Sequence, residues 1–583
     1  MIRSFAFRRL ALAGLAPLGL LGACAAATPP PAVAAAPVAA TSDTRPGIVS
    51  AADPRAAEAG AEMLRAGGSA TDAAIATMLA LGVVEPQSSG IGGGGFLVRG
   101  AADGSVETLD GRETAPKAAI PGWFLDEAGQ PRPFPQAVMS GLSVGVPGNL
   151  RLAAKAHAEH GRLDWAQLFA PAIRLARAGF AITPRLHNAL TVSRDTGGFD
   201  AAGRALFYDK AGDPLPVGTV IRNPELAATL ERIAREGPQA FYSGDNAAAI
   251  ARRVASETPH PAGMTQQDIA AYAAKDRPPV CGTYRTYRIC GMGPPSSGAT
   301  TVFAILKQLE GFDLAALGKD SPVAWHLIAE SQRLAYADRE LYLGDPDFLA
   351  VPVKGLIDPT YLAARGRLIS PDRTMASAAA GTPPGTDALA LADGDEPAEN
   401  GTSHFVAIDR WGDAVSYTST VESAFGSGIM VGGYYLNNEL TDFSFTPEKG
   451  GRPVANRVEG GKRPRSSMAP TVVYDAKGRL VLAVGAAGGA TIPVQVAKVL
   501  IAWIDWGLSA QQAIALPVIY SPGDTIFVEQ GTALEGMIPA LHALGHASIV
   551  AREMPLKANA VERGERGWIG AADPRSEGAS VSE

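Results

Sequence analysis

Apolar and polar positions change their period at Thr402. Upstream, apolar residues recur every three or four positions over Asn149 to Gly179, Pro224 to Tyr272 and Ser321 to Tyr342, which predicts helices. Asp53-Pro54 supplies an N-cap and a first-turn proline for a helix through Met63-Leu64 that Gly67-Gly68 stops, and a second helix is expected from Thr71-Asp72 to about Leu81. Downstream the period is two. Phe405 to Asp409 and Ala414 to Thr420 flank Arg410-Trp411-Gly412-Asp413, and Thr471 to Tyr474 and Leu480 to Val484 flank Asp475-Ala476-Lys477-Gly478, which predicts two hairpins. A further helix is expected over Pro493 to Trp506. Helix-rich sequence followed by strand-rich sequence predicts an α+β fold of stacked antiparallel sheets covered by helices.

A glycine loop and an acidic run interrupt the pattern. Gly92 to Gly95 leads into a strand at Phe96-Leu97-Val98; the order is helix, loop, strand, the reverse of a dinucleotide fingerprint, so nucleotide binding is rejected. Thr382 to Gly401 carries Asp387, Asp393, Asp395, Glu396 and Glu399 and no basic residue; it reads as the end of a flexible acidic segment, 374–401, that runs straight into the strand beginning Thr402-Ser403-His404. A cut before Thr402 would put a hydroxyl nucleophile and a free α-amine on one residue, the arrangement that N-terminal-nucleophile hydrolases use.

The chain has 583 residues and a net charge of −7 with no long basic run, which argues against nucleic acid as the main partner. Arg3, Arg8 and Arg9 precede an apolar stretch from Leu10 to Leu21, an export signal over residues 1–23. Leu21-Gly22-Ala23-Cys24 resembles a lipobox, making Cys24 a lipidation site, with an ordinary signal cut as the alternative; the Pro/Ala-rich stretch within 24–45 reads as a tether. The expected address is the periplasm, with membrane attachment through the lipid alone, on the outer membrane. Export permits disulfides. If Arg285-Thr286 is a two-residue turn, Tyr284 faces Tyr287 and Cys281 faces Cys290 at a non-hydrogen-bonded pair, which predicts a bridge; two buried thiols are the alternative.

Pro86-Gln87 with Gly92 to Gly95, Asp110-Gly111-Arg112-Glu113, Pro294-Pro295-Ser296-Ser297-Gly298, Gly401-Thr402-Ser403-His404, Asn437 to Phe443, Lys462 to Met468, Gly488-Gly489 and Asp573-Pro574-Arg575 follow one another in the order of the γ-glutamyltranspeptidases. Over about Ile48 to Gly578 the chain resembles that family of N-terminal-nucleophile hydrolases. The resemblance implies an αββα sandwich and self-cleavage between Gly401 and Thr402 into a large subunit, 46–401, and a small one, 402–583, which remain together as a heterodimer. It implies Thr402 as nucleophile and α-amino base, Thr420 as its hydrogen-bond partner, and Gly488 and Gly489 as the oxyanion hole, with a plain turn as the alternative for the glycines. Arg112, Ser466 and Ser467 match the positions that hold the donor's α-carboxylate, and Glu439 and Asp442 those that hold its α-ammonium. The alternative for Arg112 is a surface salt bridge to Asp110 or Glu113.

Glu422 departs from the asparagine frequent in the family. It adds a third carboxylate near the ammonium position and brings the chain closer to cephalosporin acylase-like relatives. The implied substrate is a glutathione-like γ-glutamyl compound, with an acylase of different acyl specificity as the alternative. The segment from Ser444 to Gly461 is short where some members carry a lid, which implies that water competes well as acceptor. His404 shares a strand face with Thr402 but reads as structural, and the histidines show no metal-ligand spacing, so neither metal nor cofactor is expected. Two remote readings remain: Gly141-Leu142-Ser143-Val144-Gly145 as the nucleophile elbow of an α/β-hydrolase, and a binding lipoprotein without catalysis.

Overall fold

Strand β1 (Ile48–Ala51) is buried along its whole length, and Asp53 then caps helix α1 (Pro54–Arg65) by accepting from the Arg55 amide. Ser69 and Asp72 form a reciprocal capping box on α2 (Ala70–Val84), which is buried nearly all round, as its predominantly apolar sequence requires. Strands β2 (Gly94–Gly100) and β3 (Val106–Gly111) follow, then α3 (Asn149–His160) and α4 (Ala170–Ala178). After β4 (Lys275–Arg277) come the hairpin of β5 (Val280–Tyr284) and β6 (Tyr287–Gly291) and the helices α5 (Gly298–Leu309) and α6 (Pro322–Tyr342). The last part of the chain supplies β7 (Gly401–Ile408), β8 (Ala414–Glu422), β9 (Thr471–Tyr474), β10 (Leu480–Ala487), α7 (Ile492–Ile504), β11 (Lys557–Arg563), β12 (Trp568–Ala572) and β13 (Ala579–Ser582). This computed structural model describes residues 45–259, 263–386, 390–393 and 401–583. The expected signal at 1–23, Cys24 and nearly all of the tether lie outside the described residues.

Two antiparallel sheets form the centre. The first runs β13-β1-β7-β8-β2-β3-β4 and the second β12-β11-β10-β9-β6-β5. Alternation along β7 decides what faces what. Phe405 and Ala407 pack with α1, α2 and α3 in one core, while Val406 and Ile408 pack in a second core with β9, β10, α5, α6 and α7. The layers are therefore helix, sheet, sheet, helix, the αββα sandwich expected.

Differences from the expected elements have local causes. The helical stretch 149–179 breaks at Gly161 into α3, a 3₁₀ turn at Trp165–Phe169 and α4. The stretch 224–272 divides into Pro224–Glu236, Gln239–Tyr242, Gly244–Ser256 and Gln266–Ala271, the first break falling at Gly237, in a positive-φ conformation, and Pro238. Of the segment expected to be flexible, 374–401, residues 387–389 and 394–400 lie outside the described residues, and much of the described part is anchored. Arg333 donates to the Met375 carbonyl (3.0 Å) and Arg365 to that of Ala379 (2.8 Å). Gly381 donates to Asp338 (2.7 Å) and accepts from Tyr342 (2.7 Å), and the Ala392 amide donates to Pro453 (3.0 Å).

The Cys281–Cys290 disulfide is present, with Tyr284 paired to Tyr287 as the register required. Arg285 adopts a positive φ that its residue type disfavours. Tertiary bonds hold it there: its amide meets Glu310, and its guanidinium meets Asp505 (2.9 Å) and the carbonyls of Glu310 and Phe312.

Candidate active site

β7 and β8 pair with Thr402 opposite Thr420, and their hydroxyls lie 3.2 Å apart, almost fully buried. The Thr420 hydroxyl also donates to the Gly401 carbonyl (2.6 Å) and accepts from the Glu422 amide (2.8 Å). Since a hydroxyl has one proton, Thr420 spends its own on Gly401, and Thr402 is left as the donor between the two threonines. The same oxygen thus touches both sides of the Gly401–Thr402 peptide. Gly93 passes directly under Thr420, where a Cβ would collide with the Thr420 carbonyl; this contact is what the glycine loop accommodates.

Behind Thr402, on the opposite face of β7, Ser403 donates to Glu85 (2.6 Å) and accepts from Lys557 (3.1 Å), which itself pairs with Glu85 (2.9 Å). Burial pushes the Lys557 ammonium down to about 8 against the pull of Glu85. Burial also works to raise Glu85, but Lys557 and Arg185 outweigh it and hold that carboxyl below its usual range. His404, on the Thr402 face, packs its ring on Gly485 and bonds Thr418 (2.9 Å). Burial pushes it down to about 3, so it stays neutral and structural.

Gly488 and Gly489 follow β10. Gly485 meets His404, and Ala487 pairs with Lys557, which reaches Ser403, so β10 runs toward the Thr402 end of β7. The Ala487 carbonyl accepts from Gln495 (2.8 Å) and that of Gly488 from Thr491 (2.7 Å). A trans peptide points its N–H opposite its carbonyl, so the amides of Gly488 and Gly489 are turned away from those two side chains. Gly488 has φ +126°, where a Cβ would also strike the Pro555 carbonyl.

Arg112 is fully buried, which removes the surface salt bridge as an account of it. Its guanidinium pairs with both Glu439 and Asp442 and donates to the carbonyls of Pro464 (3.2 Å) and Arg465 (2.9 Å). The expected carboxylate holder and the two expected ammonium acceptors thus engage one another. Asp110 receives the Arg112 amide (2.9 Å), with Arg277 (2.9 Å) and Arg463 (3.3 Å) on its carboxylate. Glu422, in a positive-φ conformation, bonds Asn438 and Ser423, while its Oε1 has no hydrogen-bond partner. Burial, reinforced by Asp442, pushes its carboxyl above the usual carboxylate range. Glu113 has neither oxygen bonded, and burial pushes it up to about 8.

Ser466 and Ser467 are buried beside the Pro295 to Ser297 turn: the Ser466 amide meets the Pro295 carbonyl (3.0 Å), and Ser297 bonds the Ser466 carbonyl with its amide (2.7 Å) and hydroxyl (2.8 Å). Arg339 of α6 reaches Ser297 (2.8 Å) and Ser467 (2.7 Å). Arg339, Asn438, Glu85 and Lys557 were not singled out by sequence reasoning.

Ser143 is unsuited to nucleophilic attack. Its one hydroxyl proton lies between the Val138 (2.7 Å) and Ser140 (2.8 Å) carbonyls, and α3 begins only at Asn149. Of the described residues, His326, Glu330 and His546 come close enough together to suit a metal ion. The two rings share a proton across 2.7 Å, and Glu330 already accepts from Arg333, Thr374 and Met375, so the cluster reads as a clamp on the 374–375 backbone.

The γ-glutamyltranspeptidase family model matches residues 56–582. A glutathione hydrolase proenzyme of Bacillus subtilis (strain 168) is 38% identical over 512 residues, covering 86% of this chain and 85% of its own. One from Escherichia coli (strain K12) is 35% identical over 601 residues, covering 99% of each. The crystal structure of cephalosporin acylase from Bacillus halodurans superposes with a TM-score of 0.80 at 27% identity, over 92% of this chain and 96% of that one. With this span and the stacked-sheet architecture, the chain belongs to the γ-glutamyltranspeptidase family.

Proposed function

We propose that the chain cleaves itself between Gly401 and Thr402 and then transfers γ-glutamyl groups from glutathione-like donors to water or to amine acceptors. The observation that carries the substrate class is the buried pairing of Arg112 with Glu439 and Asp442. An α-amino acid head is a zwitterion. Its carboxylate can take over Arg112 while its ammonium takes over Glu439 and Asp442, so charge is exchanged without leaving any ion alone. A glutaryl group brings only the carboxylate and would take Arg112 from Glu439 without offering a cation in return, and an unpaired buried charge is strongly destabilising.

In the processed enzyme the Thr402 α-amine, whose ordinary pKa is about 7.7–8.0, takes the Oγ proton. Oγ attacks the γ-carbonyl carbon, the Gly488 and Gly489 amides face the developing oxyanion, and an ester to Thr402 forms as the amide C–N bond breaks. The ammonium returns its proton to the leaving amine. Water or an acceptor amine then repeats the sequence in reverse and frees the threonine. The short Ser444 to Gly461 segment favours water as acceptor. The two cleavage fragments remain interlocked, since β7 and β8 of the small subunit lie between β1 and β2 of the large one in a single sheet. The proposed address is the periplasmic face of the outer membrane, through Cys24.

Glu422 supports one competing reading. A third acid held protonated can donate a hydrogen bond to an acyl group that lacks the ammonium, as an acylase would need. Steady-state assays with γ-glutamyl and glutaryl anilides decide between them, and a denaturing gel tests processing. The expected results are preference for the γ-glutamyl donor, two fragments from the wild type and one uncut, inactive chain from Thr402→Ala. A normally processed Thr402→Ala variant would end the proposal.

A further inference from the structure

We propose that Arg339 is a positioning and specificity-determining residue, which turns the Ser467 hydroxyl into a dedicated donor for the carboxylate of the substrate. The inference rests on the zwitterion reading above. An arginine can only donate, so in the Arg339–Ser467 bond (2.7 Å) the serine oxygen is the acceptor. The proton of Ser467 must then point elsewhere, and among the described residues it meets no acceptor. Ser297 forms the contrast. It also receives Arg339 (2.8 Å), but it delivers its own proton to the Ser466 carbonyl (2.8 Å). One guanidinium therefore fixes two hydroxyls, one closed by the protein and one left with a proton to give.

The location matches the role. Pro464 and Arg465 offer their carbonyls to Arg112, and Ser467 follows two residues later on the same buried run. A carboxylate that displaces Glu439 and Asp442 from Arg112 arrives beside a hydroxyl already polarised by a second cation, and hydrogen bonds in such a chain reinforce one another. Arg339 is held for this task. It is buried, it pairs with Glu340, and Arg465 anchors Glu340 (2.6 Å) and the Arg339 carbonyl (3.3 Å). Without Arg339, Ser467 is free to rotate and to donate within the protein.

The test compares Arg339→Met, Ser467→Ala and the double variant. KM and kcat are measured for γ-glutamyl anilide, together with inhibition by 4-aminobutyrate, which keeps the amine and lacks the α-carboxylate. Loss of one hydrogen bond to a charged group predicts a rise of about 10- to 100-fold in KM for Arg339→Met. Self-cleavage, kcat and inhibition by 4-aminobutyrate should hold. The double variant should be no worse than the poorer single one, and Arg339→Lys should recover part of the loss. A fall in kcat with KM unchanged, equal weakening of both ligands, or additive effects of Arg339→Met and Ser467→Ala would overturn the role. Absence of γ-glutamyl turnover by the wild type would remove the substrate reading as well, so the two failures are told apart. Should Arg339→Met fail to fold, the Arg339→Lys variant and the Ser467→Ala KM effect carry the same comparison.

Discussion

Replacing Thr420 with valine removes a single oxygen and preserves shape, yet that oxygen makes three bonds at the candidate cleavage site. It donates to the Gly401 carbonyl (2.6 Å), faces the Thr402 hydroxyl (3.2 Å) and receives the Glu422 amide (2.8 Å). When Thr402 attacks the Gly401 carbonyl carbon, negative charge grows on the oxygen to which Thr420 already donates. Loss of one such donor costs about 10²- to 10³-fold in rate, or about 2.7–4 kcal/mol of transition-state stabilisation. The Gly401 oxygen and the Glu422 amide are also orphaned, at about 1–3 kcal/mol of folding stability each. The assay is a time course of the uncut chain on a denaturing gel, with a thermal melt alongside to separate slow cleavage from poor folding. Thr420→Val should persist as precursor, and Thr420→Ser, which keeps the oxygen, should mature at close to the normal rate. A folded Thr420→Val protein that matures as fast as the wild type would refute the role of this hydroxyl.

Three further perturbations test other parts of the molecule. Lys557→Met leaves Glu85 as a buried charge with only Arg185, 3.5 Å from its other oxygen, and should lower stability by about 3–5 kcal/mol in urea titration, with Lys557→Met/Glu85→Gln recovering part of it; an unchanged midpoint would refute the pairing. Glu113 is raised from 4.5 to about 8, so between those pH values the unfolded chain has lost a proton that the folded one keeps. Its stabilising contribution is complete below pH 4.5 and declines as pH rises to about 8, at up to about 1.4 kcal/mol per pH unit. Glu113→Gln should therefore gain on the wild type between pH 5 and 8, and a pH-independent difference would show that Glu113 ionises normally. The Cys281–Cys290 bridge closes a loop over a separation of nine residues. In the chain-entropy account its removal costs about 2–3 kcal/mol, so Cys281→Ala/Cys290→Ala should melt at lower temperature. Equal melting of the variant and the oxidised wild type would show that neighbouring strands already supply that constraint.

What could be read from sequence was what depends on neighbours along the chain. The period-two alternation over Phe405 to Thr420 identified the β7–β8 hairpin, whereas Thr420 as the partner of Thr402 came from the family motif, and the observed register sets the two opposite each other. Asp53-Pro54 marked the start of α1 because a cap is a local bond. The cysteine pairing followed from counting outward from a turn, although Arg285 holds its unfavourable φ only through Glu310, Phe312 and Asp505, which no local pattern foretells. The site residues were named one at a time by family motifs, and their mutual arrangement was not legible. Arg112 and Glu439 lie 327 positions apart, and Arg339 and Ser467 lie 128 apart. Nothing in either segment specifies that the first pair engage each other or that the second leaves a serine proton free. The acidic segment shows the opposite failure. Its composition reads as flexible, yet Thr374 to Gly381 is held by Glu330, Arg333, Asp338 and Tyr342 of α6 and by Arg365, side chains whose partners are backbone groups and therefore carry no compositional signature. That anchoring bears on the proposed chemistry. It ties Met375 and Gly381, upstream of the Gly401–Thr402 bond, to Glu330, Arg333 and Asp338 of α6, the helix that also carries Arg339.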